Sequence, residues 1–322
     1  MKITLLDGFS TNPGDLSWEP FKKLGDLKVY DLSAPEQVVE RSRGCEVLLT
    51  NKTKITASDI AALPELKYIG ILATGLNAAD VDAASAAGIT VTNIPAYSTM
   101  SVMQMVFAHL LAITNRVEHY TWEIRKGTWL ANPDFCYTDF THHELAGKRM
   151  GIVGYGNIGS AVAAVALAMG MKPYIYTSKP QEALPAGMKK APDLDTLFAV
   201  SDVVSLHCPL AEDTHNLVNR ERLHKMKPTA ILINTARGLL VDEEALAEAL
   251  NEGRILAAGL DVMPQEPPRP DSPLLTARNC FLTPHMAWGT LEARARVISV
   301  GADNLRRWLE GNPVNVVSQT GH

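Results

Sequence analysis

Cysteine is scarce in this chain, four in 322 residues, and none stands in a C-x-x-C pair. Cys45, Cys136, Cys208 and Cys280 lie far apart, which excludes a disulfide framework or a thiolate metal site and fits a reducing cytoplasm. No run of Lys and Arg is present, and the formal net charge is −5. A nucleic-acid partner is therefore not expected. No apolar run is long enough to span a bilayer; the longest small-apolar stretch, 161–171, falls short, so no membrane partner is expected either. Residues 1–7 are too short for a signal-peptide core and read as a first strand. Internal repeats and low-complexity tracts are missing too. His142 and His143 are adjacent and so point apart; they read as solvated or capping residues, and no metal is expected. What remains is ordinary for a globular protein, 46% hydrophobic and 20% charged, with length enough for two cores.

The stretch 149–160 organises the rest. It reads as a buried strand, a tight glycine turn and the first turn of a helix. Gly154, Gly156 and Gly159 form a G-x-G-x-x-G. The first glycine permits the turn, the second lets backbone approach a pyrophosphate, and the third lets helix and strand pack closely. The helix N-terminus, with Asn157 and Ile158, then offers free N–H groups to phosphates. An Ala-rich helix over 160–169 and a second strand over 173–176 complete a βαβ unit, the context a dinucleotide site requires.

Residues 1–98 alternate strand and helix. Strands are predicted at 3–6, 29–32, 47–50, 68–72 and 89–93, with helical segments at 35–41 and 57–63, the latter capped by Ser58 and Asp59. Such alternation means a parallel sheet covered by helices. A helix apolar nearly all round follows over 98–115, with a stripe of Val102, Met105, Val106, His109, Leu110 and Ile113. His109 reads as a satisfied core or interface histidine. A second helix spans 117–126. Trp122, Trp129, Phe135 and Phe140 then crowd a segment long enough to be a dimerisation arm, about 100–145. The later strands are predicted at 150–153, 173–176, 203–207, 230–235, 257–262 and 281–283, six in a doubly wound Rossmann sheet. Between them, the helix 243–252 has Asp242 as N-cap and Gly253 as its stop. A long helix from 290 to 310 and an anchored apolar tail at 314–317 close the chain.

The fold class is thus α/β: two Rossmann-like doubly wound parallel-sheet domains, with cofactor and substrate expected in the cleft between them. The nucleotide-binding domain, 99–289, is inserted into a substrate domain made of 1–98 and 290–322. Three polar residues follow strand ends of the second sheet, where ligands bind in such folds. Arg237 can hold a carboxylate bidentately. His285 can act as general acid–base, and Glu266 can orient it and stabilise the imidazolium. The set points to hydride transfer between nicotinamide and a carboxylate-bearing carbonyl compound.

At these residues the chain resembles the D-isomer-specific 2-hydroxyacid dehydrogenase family along almost its whole length. The likeness rests on the glycine motif, Leu206-His-Cys-Pro-Leu210 with Thr214, Asn234-Thr-Ala-Arg-Gly238, Gly259-Leu-Asp-Val262 with Glu266-Pro267, and Thr283-Pro-His285. The resemblance implies that His285 protonates the keto oxygen during reduction. Arg237 would bind the carboxylate and polarise the carbonyl, and Glu266 would favour the protonated form of His285. It implies cofactor contacts from Gly154, Gly156, Asn157, Ile158, Gly159, Thr177, Ser178, Lys179, Cys208, Pro209, Thr214, Thr235, Ala236, Arg237, Asp261 and His285. Substrate contacts would come from Lys52, Ala73, Thr74, Gly75, Arg237, His285 and Trp288. The backbone N–H groups of the 73–75 loop would hold the carboxylate. A homodimer is implied as well.

Within the family, residues 135–139 before 144–148, and Trp288 soon after His285, look most like bacterial glycerate dehydrogenases, also called hydroxypyruvate reductases. Formate-oxidising relatives carry Gln at the Glu266 position, and D-lactate dehydrogenases usually carry an aromatic pair where Trp288-Gly289 stands. A regulatory domain like that of long phosphoglycerate dehydrogenases is not expected. NAD-specific relatives place Asp on the adenosine ribose at the end of the second strand; here Thr177, Ser178 and Lys179 stand there. No carboxylate repels a 2′-phosphate, so NAD(P)H is expected with a leaning to NADP. The expected reaction is reduction of hydroxypyruvate or glyoxylate, with D-glycerate or glycolate as product. Alternatives are a D-lactate-type or other 2-keto acid reductase, and a dinucleotide-sensing corepressor-like binding protein.

Overall fold

The computed structural model describes residues 1–318 of the chain; the last four residues of the expected 290–322 segment lie outside the described residues. The chain divides into two compact units, Met1–Ser98 with Gly289–His322, and Thr99–Trp288.

The first unit is a five-stranded parallel sheet with β1 (Lys2–Leu5), β2 (Asp26–Val29), β3 (Val47–Thr50), β4 (Tyr68–Ile71) and β5 (Thr90–Thr92), ordered β2-β1-β3-β4-β5. Every residue of β3 and β4 is buried, as expected of central strands covered on both faces. Short helices α1 (Glu19–Lys22), α2 (Val38–Ser42), α3 (Ala57–Ala61) and α4 (Val81–Ala86) connect the strands. Two sequence readings need correction here. The second strand is Asp26–Val29 rather than 29–32: its partner β1 stops at Leu5, and Leu32, the apolar residue that suggested the later range, is 75% exposed. The cap of α3 is Thr56, which accepts from the Asp59 N–H while Asp59 accepts from the Thr56 N–H, a reciprocal capping box. The helix Leu291–Leu309 returns to this unit and packs through Gly301, where a Cβ would come within 2.9 Å of Leu72 and 3.0 Å of Phe21. The apolar tail is anchored as expected, with the Val317 N–H donating to Val91 O at 2.9 Å.

The second unit opens with α5 (Thr99–Asn115) and α6 (Val117–Arg125). Its sheet holds β6 (Arg149–Val153), β7 (Lys172–Tyr176), β8 (Lys189–Lys190), β9 (Val203–Leu206), β10 (Ile231–Asn234), β11 (Ala257–Leu260) and β12 (Cys280–Leu282). All pair in parallel, in the order β12-β11-β10-β9-β6-β7-β8. The strand count is seven, not six. The extra strand, β8, is a two-lysine edge strand with no apolar pattern to mark it. Helices α7 (Asn157–Ala168), α8 (Leu194–Val200), α9 (Arg220–Lys225) and α10 (Glu243–Asn251) cover the faces. On one face α5 and α7 close over Met150, Ile152, Ile175, Ile231 and Ile233 with Val106, Leu110, Val162 and Ala166. On the other, Leu197, Leu223, Leu246 and Leu250 cover Val204, Leu206 and Leu232. Strand order reverses at β6, with β7 on one side and β9 on the other, which opens the switch point where such sheets take ligands.

Trp122 on α6 is 60% exposed, and beyond α6 the segment up to β6 lacks regular structure and keeps large apolar groups in solvent: Leu130 is 92% exposed and Phe135 83%. It is nonetheless built. Trp129 Nε1 donates to Phe135 O at 2.9 Å, and Arg116 stacks between Phe140 and Phe281. His142 is exposed and bonds Tyr120 Oη and Thr114 O in the last turn of α5, the solvated, capping role expected of it.

Candidate active site

Because every strand of the second sheet runs the same way, the ends of β6, β7, β9, β10, β11 and β12 share one edge. Each expected site residue of this unit follows one of those ends.

The glycine turn leaves β6 at Gly154, whose φ of +96° is left-handed and whose Cβ would lie 2.7 Å from the His207 carbonyl. Only glycine fits there. Gly159 packs against the Gly154 carbonyl, so the start of α7 is drawn onto the strand. Gly156 is the N-cap of α7 and provides no side-chain cap. A Cβ on Gly156 would meet nothing within 4 Å, so the exposed helix start keeps open space beside its backbone. Asn157 and Ile158 begin the helix there. Thr235, after β10, adds a buried Oγ1 with no hydrogen-bond partner among the described residues. An uncapped helix start, open space at Gly156 and an orphaned hydroxyl fit a dinucleotide with its phosphates on α7.

After β7, Thr177 is half-buried and Ser178 and Lys179 are exposed. Thr177 Oγ1 accepts from the Lys179 N–H at 3.2 Å, and Lys190 Nζ donates to Lys179 O at 2.8 Å. The Lys179 ammonium lies 5.3 Å from the centre of the Tyr155 ring, inside the glycine turn. After β9, Cys208 and Pro209 begin a loop closed by Thr214, whose hydroxyl donates to Pro209 O at 2.8 Å and accepts from the Ala211 N–H at 2.7 Å. Burial pushes the Cys208 thiol up to about 11, so it stays neutral. Burial likewise holds His207 down at about 3, and its Nε2 bonds Ser205 Oγ at 2.8 Å.

Arg237 is exposed, and its Nη1 donates to Ala236 O at 2.7 Å. Asn234 sets this turn, its side chain accepting from Ala236 N–H and donating to Arg237 O. Gly238 then packs against the Met263 carbonyl, which brings the Arg237 turn beside the turn that carries Glu266. Glu266 Oε1 accepts from the Met263 N–H at 3.0 Å. Its Oε2 meets His285 Nδ1 at 2.6 Å. A carboxylate there accepts the Nδ1 proton and leaves Nε2 for proton transfer. Glu266 and His285 are thus brought together, while the Arg237 guanidinium rests on its own turn.

His285 sits in a braced loop. Its φ is +51°, and its N–H donates to Thr283 O at 3.0 Å. Trp288 Nε1 donates to His285 O at 2.9 Å, so this indole supports the histidine backbone. Asp261, 1% exposed, accepts from the N–H groups of Met286 at 3.0 Å and Ala287 at 2.8 Å. Both of its carboxylate oxygens are engaged with the loop.

In the first unit, Asp7 was not singled out by the sequence reading. It accepts from the N–H groups of Asn51, Lys52 and Thr53 at 2.8, 2.5 and 2.6 Å, which fixes the loop carrying Lys52. No sequence signal marks it, since its 3% exposure shows only in the structure. The 73–75 loop is held by Ile94 N–H on Ala73 O, Thr74 Oγ1 on Ile94 O and Asn93 Nδ2 on Thr74 O. Among the described residues no group of three or more His, Cys, Asp or Glu side chains is placed to hold a metal ion, and no helix is long and apolar enough to cross a membrane.

Comparison with known proteins gives the family. Residues 107–287 match the model for the D-isomer specific 2-hydroxyacid dehydrogenase, NAD binding domain. A hydroxypyruvate reductase of Blautia hydrogenotrophica is 44% identical, covering 99% of this chain and 100% of its own. A glycerate dehydrogenase of Methylorubrum extorquens is 40% identical, covering 98% of each. An acyclic imino acid reductase solved with NADPH and D-Arg superposes with a TM-score of 0.85 at 34% identity, covering 98% of this chain and 100% of that one. The chain belongs to the D-isomer-specific 2-hydroxyacid dehydrogenase family.

Proposed function

We propose that the protein reduces hydroxypyruvate or glyoxylate with a nicotinamide dinucleotide, giving D-glycerate or glycolate. The observation that carries this is the 2.6 Å His285–Glu266 pair at the carboxyl edge of a Rossmann sheet. The names of the full-length relatives, hydroxypyruvate reductase and glycerate dehydrogenase, support the substrate class.

The dinucleotide supplies the hydride; the chain's own residues do the rest. Glu266 holds the imidazole through Nδ1, so Nε2 carries the proton given to the keto oxygen. Arg237 leaves the Ala236 carbonyl to bind the substrate carboxylate and polarise the carbonyl, a charge-assisted, bidentate contact that neutral groups cannot replace. Lys52 and the 73–75 loop of the first unit are assigned to the substrate. The glycine turn, Thr235, Ala236 and the 208–214 loop are assigned to the dinucleotide.

Thr177, Ser178 and Lys179 support use of NADPH. They present no carboxylate to a 2′-phosphate, and the solved relative named with NADPH is consistent with that choice. The exposed aromatics of 117–140 support a homodimer built through this segment. The deciding experiment is a steady-state screen of hydroxypyruvate, glyoxylate, pyruvate and phenylpyruvate with NADH and NADPH. Turnover confined to pyruvate, or none with any keto acid, would overturn the substrate reading.

A further inference from the structure

One buried histidine plays no part in the chemistry above. His109 lies mid-way along α5 and is 4% exposed. Its Nε2 stands 3.0 Å from Thr283 Oγ1. The same hydroxyl lies 2.6 Å from Asp261 Oδ1. A carboxylate only accepts, so the single Thr283 proton goes to Asp261. The Thr283 oxygen must then accept from His109, which fixes its neutral tautomer with the proton on Nε2. Burial lowers the His109 pKa, against the opposing charge of Asp261, and so favours that neutral form.

A directed chain therefore runs from His109 through Thr283 to Asp261. Asp261 in turn holds the N–H groups of Met286 and Ala287, while the Thr283 carbonyl holds that of His285. The chain grips the loop on both sides of His285. Helix α5 takes a second hold two turns earlier, where Ser101 Oγ donates to Ala287 O. The sheet makes room for this arrangement. A Cβ on Gly259 of β11 would lie 2.7 Å from His109 Cβ and 2.9 Å from Cγ, so glycine is required for the imidazole to lie where it does.

We propose that His109 is a positioning residue for His285: through Thr283 and Asp261 it fixes the loop that sets the proton donor, without touching substrate or cofactor. The inference rests on the reading that His285 is the proton donor. Its cost when broken follows from misplacement, since about 1 Å at a reacting group costs about a hundredfold in rate.

The test compares His109→Leu, His109→Gln, Thr283→Val and His285→Gln as full chains with hydroxypyruvate and NADPH. His109→Leu and Thr283→Val should each lower kcat about tenfold or more. The KM for the keto acid should stay within about twofold. The high-pH fall in the reduction rate should also move in both. The double variant should cost no more than either alone, because the residues act in one chain. His109→Gln keeps an N–H donor and should recover most of kcat and the wild-type pH profile. If His109→Leu fails to fold, Thr283→Val and His109→Gln still carry the comparison. Wild-type kcat and pH profile in His109→Leu or Thr283→Val, beside an inactive His285→Gln, would overturn the inference alone. An active His285→Gln would overturn the reading of His285 on which it rests.

Discussion

Thr177→Asp should reverse cofactor choice, and its size can be worked from the site. Thr177 is half-buried and its neighbours Ser178 and Lys179 are exposed, so a new carboxylate would act on a 2′-phosphate largely through water. At about 5 Å in a water-like dielectric each pair of unit charges repels by about 0.8 kcal/mol. A phosphate with about two charges therefore costs about 1.5 kcal/mol. The carboxylate also accepts from a ribose hydroxyl of NADH, a charge-assisted bond worth about 1.5 kcal/mol. The sum, about 3 kcal/mol, is about a hundredfold in the ratio of kcat/KM for NADH over NADPH. The local fold should survive, because an aspartate can accept the Lys179 N–H that Thr177 Oγ1 now accepts at 3.2 Å. Initial rates with hydroxypyruvate and each cofactor in turn give the ratio directly. A ratio unchanged to within about threefold would place the adenosine ribose elsewhere. A strong native preference for NADH would show that another group has taken over the aspartate's task.

Arg237→Ala should cut kcat/KM for the keto acid by about a hundredfold or more while leaving dinucleotide affinity unchanged, measured by steady-state kinetics and cofactor titration. In Glu266→Gln the 2.6 Å contact persists without its charge, so the fall of the reduction rate should occur at lower pH; an overlaid profile would remove the pairing from the mechanism. The 117–140 aromatics should keep the protein dimeric at micromolar concentration by light scattering, and Leu130→Glu with Phe135→Glu should make it monomeric. Burial holds folded His207 near 3, against about 6.5 in an unfolded chain, so protonation favours unfolding. Its contribution is complete above about pH 6.5 and is lost as pH falls toward about 3; His207→Asn should flatten that part of a plot of Tm against pH.

The sequence made legible what the backbone itself demands. Gly154 and Gly159 could be read because no side chain fits where those turns meet His207 and the Gly154 carbonyl. Arg237, Glu266 and His285 could be read because parallel strands put all their carboxyl ends on one edge, whatever the intervening chain does. What stayed hidden was the second use of polar atoms. His109 lies on an apolar stripe, and periodicity reports which face is buried but not what a ring nitrogen on that face reaches; its partner Thr283 is 174 positions away. Asp7 is silent for the same reason, since the amides it holds lie 44 to 46 residues on. Asp261 and Trp288 were assigned by resemblance to cofactor and substrate, yet the Asp261 oxygens and the Trp288 N–H already serve the His285 loop. A residue at a strand end is therefore a candidate for chemistry, and the bonds it already makes show whether it is free to act. Arg237 differs from those two in just this respect: the exposed guanidinium donates to the neighbouring Ala236 carbonyl, which an incoming carboxylate can displace at little cost, whereas Asp261 could reach a ligand with an oxygen only by sharing it with the loop that holds His285.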